Sequence, residues 1–280
     1  MKKIATRAGC LAAILLTSTT CFAGSELMPG ITTGIPLGAP LPEGLYMITI
    51  PTFGTRESTP KVDMTAIAPA WMIWSTPWTI AGGRLVFDAV TPYADVSVRH
   101  LGKVSGFTNP LIEAQLKWML GDGWFGGFQV GGYLPVQSDV GHDWGAFESA
   151  LAVSYLKDGW NLSATTGFGT GHSGPTGGPD WWNLDLTATR KFGKIEVGAV
   201  AFASADLSAP FAGYAKQSQV AVGALAGYDF GPVNVQFKLT TDVAQTNYGG
   251  RETRAWANII VPLWNPTPTA AAPRPAIVEN

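Results

Sequence analysis

The chain has 280 residues, of which 46% are hydrophobic and only 14% charged, with a formal net charge of −2. A nucleic-acid binder needs a basic excess and is excluded; a soluble domain carries about 25% charged residues, so an ordinary soluble domain is a poor fit. Past residue 23 no 18-residue apolar run exists, because Asp63, Asp88, Glu113, Glu148, Asp185, Glu196 and Lys238 interrupt every candidate. That excludes a membrane-spanning helix and leaves a soluble β protein or a membrane β-barrel.

The first residues have the layout of a secretory leader. Lys2, Lys3 and Arg7 precede a short apolar core at residues 10–16, and Thr20-Cys21-Phe22-Ala23 suits cleavage after Ala23. Ser18-Thr19-Thr20 ahead of Cys21 makes a poor lipidation signal. Cleavage removes Cys10 and Cys21, so the exported chain is held without disulfides. Residues 24–44, rich in Gly and Pro, read as an extended periplasmic segment, with folding into the pore as the alternative.

From there the hydrophobic pattern has a period of two. In 108–119, Ile112, Ala114, Leu116 and Trp118 lie on one parity, with Glu113, Gln115 and Lys117 on the other. In 124–136, Trp124, Phe128, Val130 and Leu134 oppose Phe125, Gly127, Gln129, Gly131 and Tyr133. Segments 160–169, 181–192, 219–230 and 233–243 repeat the alternation, for example Phe237 and Leu239 against Gln236, Lys238 and Asp242. Such runs of about ten residues cross a bilayer at a tilt.

Twelve strands are expected, at 45–55, 62–74, 84–95, 108–119, 124–136, 144–156, 160–170, 181–192, 195–204, 217–230, 233–243 and 251–264. Tight turns such as Gly121-Asp122-Gly123 and Lys157-Asp158-Gly159 alternate with longer polar links such as 137–143 and 171–179. The predicted fold class is therefore all-β, a transmembrane antiparallel up-and-down barrel with short periplasmic turns and longer external loops. Pro69 falls mid-strand without a reason, and 251–264 has no clean parity. Residues 265–280 read as a Pro/Ala-rich tail.

Four segments carry a family resemblance: LPEGLYMITIPTF at 41–53, GFTNPLIEAQLKWMLGDGWFGGFQVGGYLPV at 106–136, FESALAVSYLKDGWNLSATTGFGTG at 147–171 and AGYDFGPVNVQFKL at 226–239. In order and spacing the chain resembles the outer-membrane proteins named for the meta-cleavage pathway of phenol degradation. The resemblance implies a barrel that passes aromatic or other hydrophobic compounds, and it brings no catalytic motif. The proline-rich end beyond Trp264 departs from the family pattern.

The candidate lumen lining is Arg84, Asp88, Glu113, Gln115, Lys117, Phe125, Gly127, Gln129, Gly131, Tyr133, Glu148, Asp185, Gln236, Lys238 and Asp242. Charges on the lipid face would cost about 2–4 kcal/mol at mid-membrane for Lys or Arg, which sends them inward. They serve either as a selectivity lining or as pairs that fill the narrow lumen of a twelve-stranded barrel. Gly127 and Gly131 are expected to keep that lumen open, and Trp74, Trp118, Trp124, Trp144, Trp160, Trp182 and Trp264 to form interfacial girdles.

Other chemistry is weak. His172 and Ser173 are chain neighbours, poorly placed to make a base–nucleophile pair, and His100, His142 and His172 lack zinc-site spacing. No metal or cofactor is expected. The functional expectation is a monomeric outer-membrane channel of a Gram-negative bacterium, in contact with outer-membrane lipid and passively admitting small hydrophobic or aromatic molecules. The rivals are a structural or interaction barrel and, more remotely, a lipid hydrolase.

Overall fold

The computed structural model describes residues 24–266. The leader and most of the tail lie outside the described residues. Fourteen strands form one antiparallel sheet: β1 (Gly44–Arg56), β2 (Val62–Ile80), β3 (Gly83–Val90), β4 (Tyr93–Val98), β5 (Gly102–Phe107), β6 (Leu111–Gly121), β7 (Trp124–Tyr133), β8 (Ala146–Lys157), β9 (Trp160–Gly169), β10 (Trp181–Phe192), β11 (Ile195–Asp206), β12 (Ser218–Asp229), β13 (Asn234–Thr246) and β14 (Glu252–Trp264). Because β1 pairs with both β14 and β2, the sheet closes. Twelve strands make the barrel, and β4 and β5 are extra.

The alternation follows from the two solvents. In β9 and β10, Asn161, Ser163, Thr165, Asn183, Asp185, Thr187 and Thr189 are buried inside, while Leu162, Phe168 and Leu186 are exposed outward to lipid. Trp74, Trp78, Trp124, Trp160 and Trp264 are exposed near the turn ends of their strands, where an indole suits the headgroup layer. Trp144 departs from the expected girdle: it is 8% exposed, stacked between the rings of His142 and His172 in the outer loops.

Two prolines account for the extra strands and for the puzzle of Pro69. Between the pairs Ile48↔Trp71 and Ile50↔Ala68, β2 sets Pro69 and Ala70 against Thr49 alone, a bulge at which the missing donor costs no ladder bond. On its other edge β2 changes partner in the same place, pairing with β4 up to Ile67 and with β3 from Met72. Pro92 lies in that gap, so the expected strand 84–95 is two strands, and 93–107 continues outward as the β4–β5 hairpin. Its turn has His100 at φ 65°.

The interior has two unlike walls. Along β1–β3 it is apolar: Ile48, Ile50, Ala68, Trp71, Ile73 and Val86 cluster with Phe202 and Trp256 from the far side. Along β8–β14 it is polar. The strand without clean parity, β14, turns Glu252, Arg254, Trp256 and Asn258 inward, and the inward indole is what obscured its pattern.

Candidate functional site: a plugged lumen with an outer apolar cavity

Residues 24–43, expected as an extended periplasmic segment with folding into the pore as the alternative, instead run inside the barrel, from its outer end near Asp206 to the start of β1, because the inward polar side chains bond their backbone. The segment is a chain of tight turns, closed by Ile31 N to Met28 O (3.1 Å), Thr33 N to Gly30 O (3.2 Å), Ile35 N to Thr32 O (3.0 Å) and Ala39 N to Pro36 O (3.0 Å). Gly30 and Gly34 supply the left-handed conformations, at φ 89° and 87°. A ribbon of turns leaves backbone donors and acceptors unpaired, and buried ones must find partners.

The polar wall supplies those partners. Asp185 accepts from Gly30 N (2.9 Å), Thr32 N (3.0 Å) and the Thr32 hydroxyl (2.7 Å). Lys238 Nζ donates to Gly30 O (3.2 Å) and Thr33 O (3.0 Å), Asn258 to Thr33 O (3.0 Å), Gln236 to Gly34 O (3.1 Å) and Arg254 to Pro29 O (3.1 Å). Asn183 bonds Leu27 O (2.9 Å), Thr187 takes Gly34 N (2.8 Å) and Ser154 takes Gly38 N (3.1 Å). The bonds between neutral groups are worth about 0.5–1.5 kcal/mol each net and those to charged groups about 1.5–3, so the plug is held by many bonds of modest size. Opposite them, Ile35 and Leu37 pack on the apolar wall.

Of the candidate lining residues, Asp185, Gln236 and Lys238 thus hold the plug. Asp242 instead accepts from Gln219 (2.8 Å) and Glu252 N (2.8 Å), and Arg84 donates to Thr76 O (2.8 Å). Asp88, Glu113 and Glu148 lie in one row across β3, β6 and β8, with Gly131 of β7 between the two glutamates. Trp71 (2.9 Å) and Gln115 donate to Asp88, and Tyr133 donates to Glu148 (2.5 Å). Lys117 and Gln129 are buried on neighbouring rungs, and Phe125 is partly exposed near the turn end of β7.

The glycine roles differ from the expected ones. A Cβ on Gly131 would lie 2.5 Å from Glu113 Cγ, so this glycine makes room for the Glu113 side chain to cross toward Glu148. A Cβ on Gly127 would meet Leu37 O at 3.1 Å and Gly38 Cα at 3.4 Å, both in the plug. Gly127 therefore accommodates the plug, and a bulky residue there pushes on it. Gly127→Leu should raise conductance in planar bilayers; an unchanged trace would mean that the wall yields instead.

Above the plug lies a cavity of about 480 Å³. Leu27, Met28 and Ile31 of the plug floor it, Ile50, Met64, Ala66 and Ala68 wall it, and Val96, Val98 and Val104 of the β4–β5 hairpin close one side. The loop 134–145 covers another side, tied down by Ser138 to Phe107 O (2.6 Å) and by Asn109 to the carbonyls of Leu134 and His142 (both 2.9 Å).

The sequence from residue 53 to 259 matches the family described as "Putative MetA-pathway of phenol degradation". The chain belongs to this family. No curated protein matches it by sequence. The family member's fold is similar to that of an outer-membrane channel from Pseudomonas putida F1, at a TM-score of 0.66 with 14% identity over 84% of this chain and 99% of the other. More distant are the translocator domain of the autotransporter NalP from Neisseria meningitidis (TM-score 0.49, 15% identity, 78% and 88% covered) and the monoaromatic hydrocarbon channel CymD (0.47, 9%, 79% and 88%). The fold of this family member is that of an outer-membrane barrel.

At the rim of the cavity, the plug touches the loop through an acid and a base. His142 Nε2 lies 3.3 Å from Glu26 Oε1 but is not aligned for a hydrogen bond, so that oxygen is buried without a partner. Burial, then the neighbouring Glu148, pushes the Glu26 carboxyl up to about 8, and burial holds His142 below its usual value. Both are uncharged near pH 7.

Glu26 has a higher pKa docked than free, so its contribution is complete below the free value near 4.5 and is lost as pH rises through about 8. Plug-dependent conductance should therefore increase above pH 8 in wild type and become flatter in Glu26→Gln. A wild-type conductance independent of pH from 6 to 9.5 would refute this.

Proposed function

We propose that the protein is a non-enzymatic outer-membrane channel that admits small hydrophobic molecules, acting as a monomer, with residues 24–43 as its gate. The outer cavity carries this reading. Its walls are mostly aliphatic, with Tyr93, Tyr133 and His142 the rings among its lining, so compact alkyl or alicyclic molecules fit it at least as well as flat aromatic ones.

A ligand hiding about 200 Å² of apolar surface gains about 5 kcal/mol. Association entropy consumes much of that gain, and the resulting weak site suits passage better than storage. Below the cavity the apolar wall continues through Ile48, Trp71, Ile73 and Val86, covered by Ile35 and Leu37. Release of the plug from its bonds to the polar wall, which frees Ile35 and Leu37 to leave the apolar wall, uncovers an apolar path to the periplasmic side. Outer-membrane lipid is the medium of the outward face.

Liposome uptake tests the reading with toluene and a monoterpene as solutes. Ala66→Trp, which fills the cavity, should cut uptake several-fold, whereas Ala188→Trp on the lipid face should leave it unchanged. Equal uptake by both variants and by empty liposomes would favour a scaffold barrel instead.

A further inference from the structure

Asp206, at the outer end of β11, is half used. Its Oδ2 accepts from the Tyr214 hydroxyl (2.7 Å) and from Gln217 N (2.7 Å). Its Oδ1 is buried with no hydrogen-bond partner, a state that costs a carboxylate more than a neutral group. The group that faces this oxygen is Gly24: a Cβ built there would collide with Oδ1 and sit 2.5 Å from Pro179 Cγ. The α-nitrogen is one bond from the same Cα and so lies within about 5 Å of the carboxylate.

Gly24 is itself buried, at φ 67°, and Asn183 fixes the next residue through Ser25 Oγ (2.8 Å). We propose that cleavage after Ala23 creates the missing partner: the new α-ammonium of Gly24 pairs with Asp206 Oδ1 and latches the outer end of the plug.

The inference rests on the reading of residues 1–23 as a cleaved leader. Hydrolysis of the Ala23–Gly24 peptide bond adds water, giving the leader a carboxylate and Gly24 an amine, which is cationic at neutral pH. A longer N-terminus would put no ammonium against Oδ1, since Lys216, whose charge also reaches this carboxylate, has its Nζ bonded to Leu207 O (2.7 Å); glycine suits the position because a side chain would strike both Asp206 and Pro179. The latch thereby makes full docking of the plug depend on correct processing. It acts at the opposite end of the segment from β1, so that both ends of the plug are tied.

Hydrogen exchange of the purified protein, read by mass spectrometry, tests the latch after intact mass has given the N-terminus. Asp206→Asn, and separately a shifted cleavage site that leaves two alanines before Gly24, should each speed exchange in residues 25–31 by about ten- to a hundred-fold, the range of a charge-assisted bond. The two changes combined should add little to either. If Asp206→Asn fails to fold, the alanine extension decides, since it leaves the barrel intact. Wild-type protection in the extended protein would overturn the latch, and a mature N-terminus other than Gly24 would remove its premise.

Discussion

Deleting residues 25–40 should convert a closed barrel into an open one, with planar-bilayer conductance raised by at least about tenfold, since a twelve-stranded wall leaves a lumen only when nothing fills it. The barrel should survive the loss, because its closure lies in the β1–β14 and β1–β2 ladders and not in the plug. What it loses is the packing of Ile35 and Leu37 on the apolar wall and the bonds from Asp185, Gln236, Lys238 and Asn258. Those polar groups then face water, which satisfies them as well as the plug did. The vacated apolar wall should also let toluene pass faster in liposome uptake. Conductance no higher than wild type would mean that the outer loops, not the plug, close the channel.

The strands were legible because a half-buried strand repeats every two residues whatever its neighbours do, and lipid makes the contrast sharp in segments such as 160–169 and 181–192. The pattern failed where both faces are apolar. Ile48, Ile50 and Ile73 point inward, and Trp256 is paid for inside by Lys238 Nζ 4.8 Å from its ring centroid. The function of the inward polar residues was not legible. Asp185 and Lys238 alternate the same way whether they line water or hold a backbone, and their partners lie 153 and 205 residues away in a segment without periodicity. Proline gave a warning that could be read: Pro69 and Pro92 both fall where the ladder is interrupted, and one unexplained proline marked the bulge in the wall.

Arg254→Ala should have the largest effect on stability, about 3 kcal/mol, because it breaks a buried pair from one side. The guanidinium bonds both Glu252 oxygens (2.9 and 3.1 Å), the Tyr248 hydroxyl (2.9 Å) and Pro29 O (3.1 Å), and it lies near the rings of Phe202 and Trp256. Glu252 is paired across the β1–β14 seam with Arg56 (3.1 Å), so the network joins the closing strands to the plug. Arg56 remains after the substitution, which puts the cost at the low end for a broken buried pair. A shift of the urea midpoint for loss of the compact band on unheated gels would measure it. Adding Glu252→Gln to Arg254→Ala also takes the carboxylate away from Arg56 and should lower the midpoint further, while Arg254→Lys keeps the charge without the fork and should fall between wild type and Arg254→Ala. If Arg254→Ala unfolds like wild type but conducts more, the side chain serves the plug alone and the seam is held by its backbone ladder.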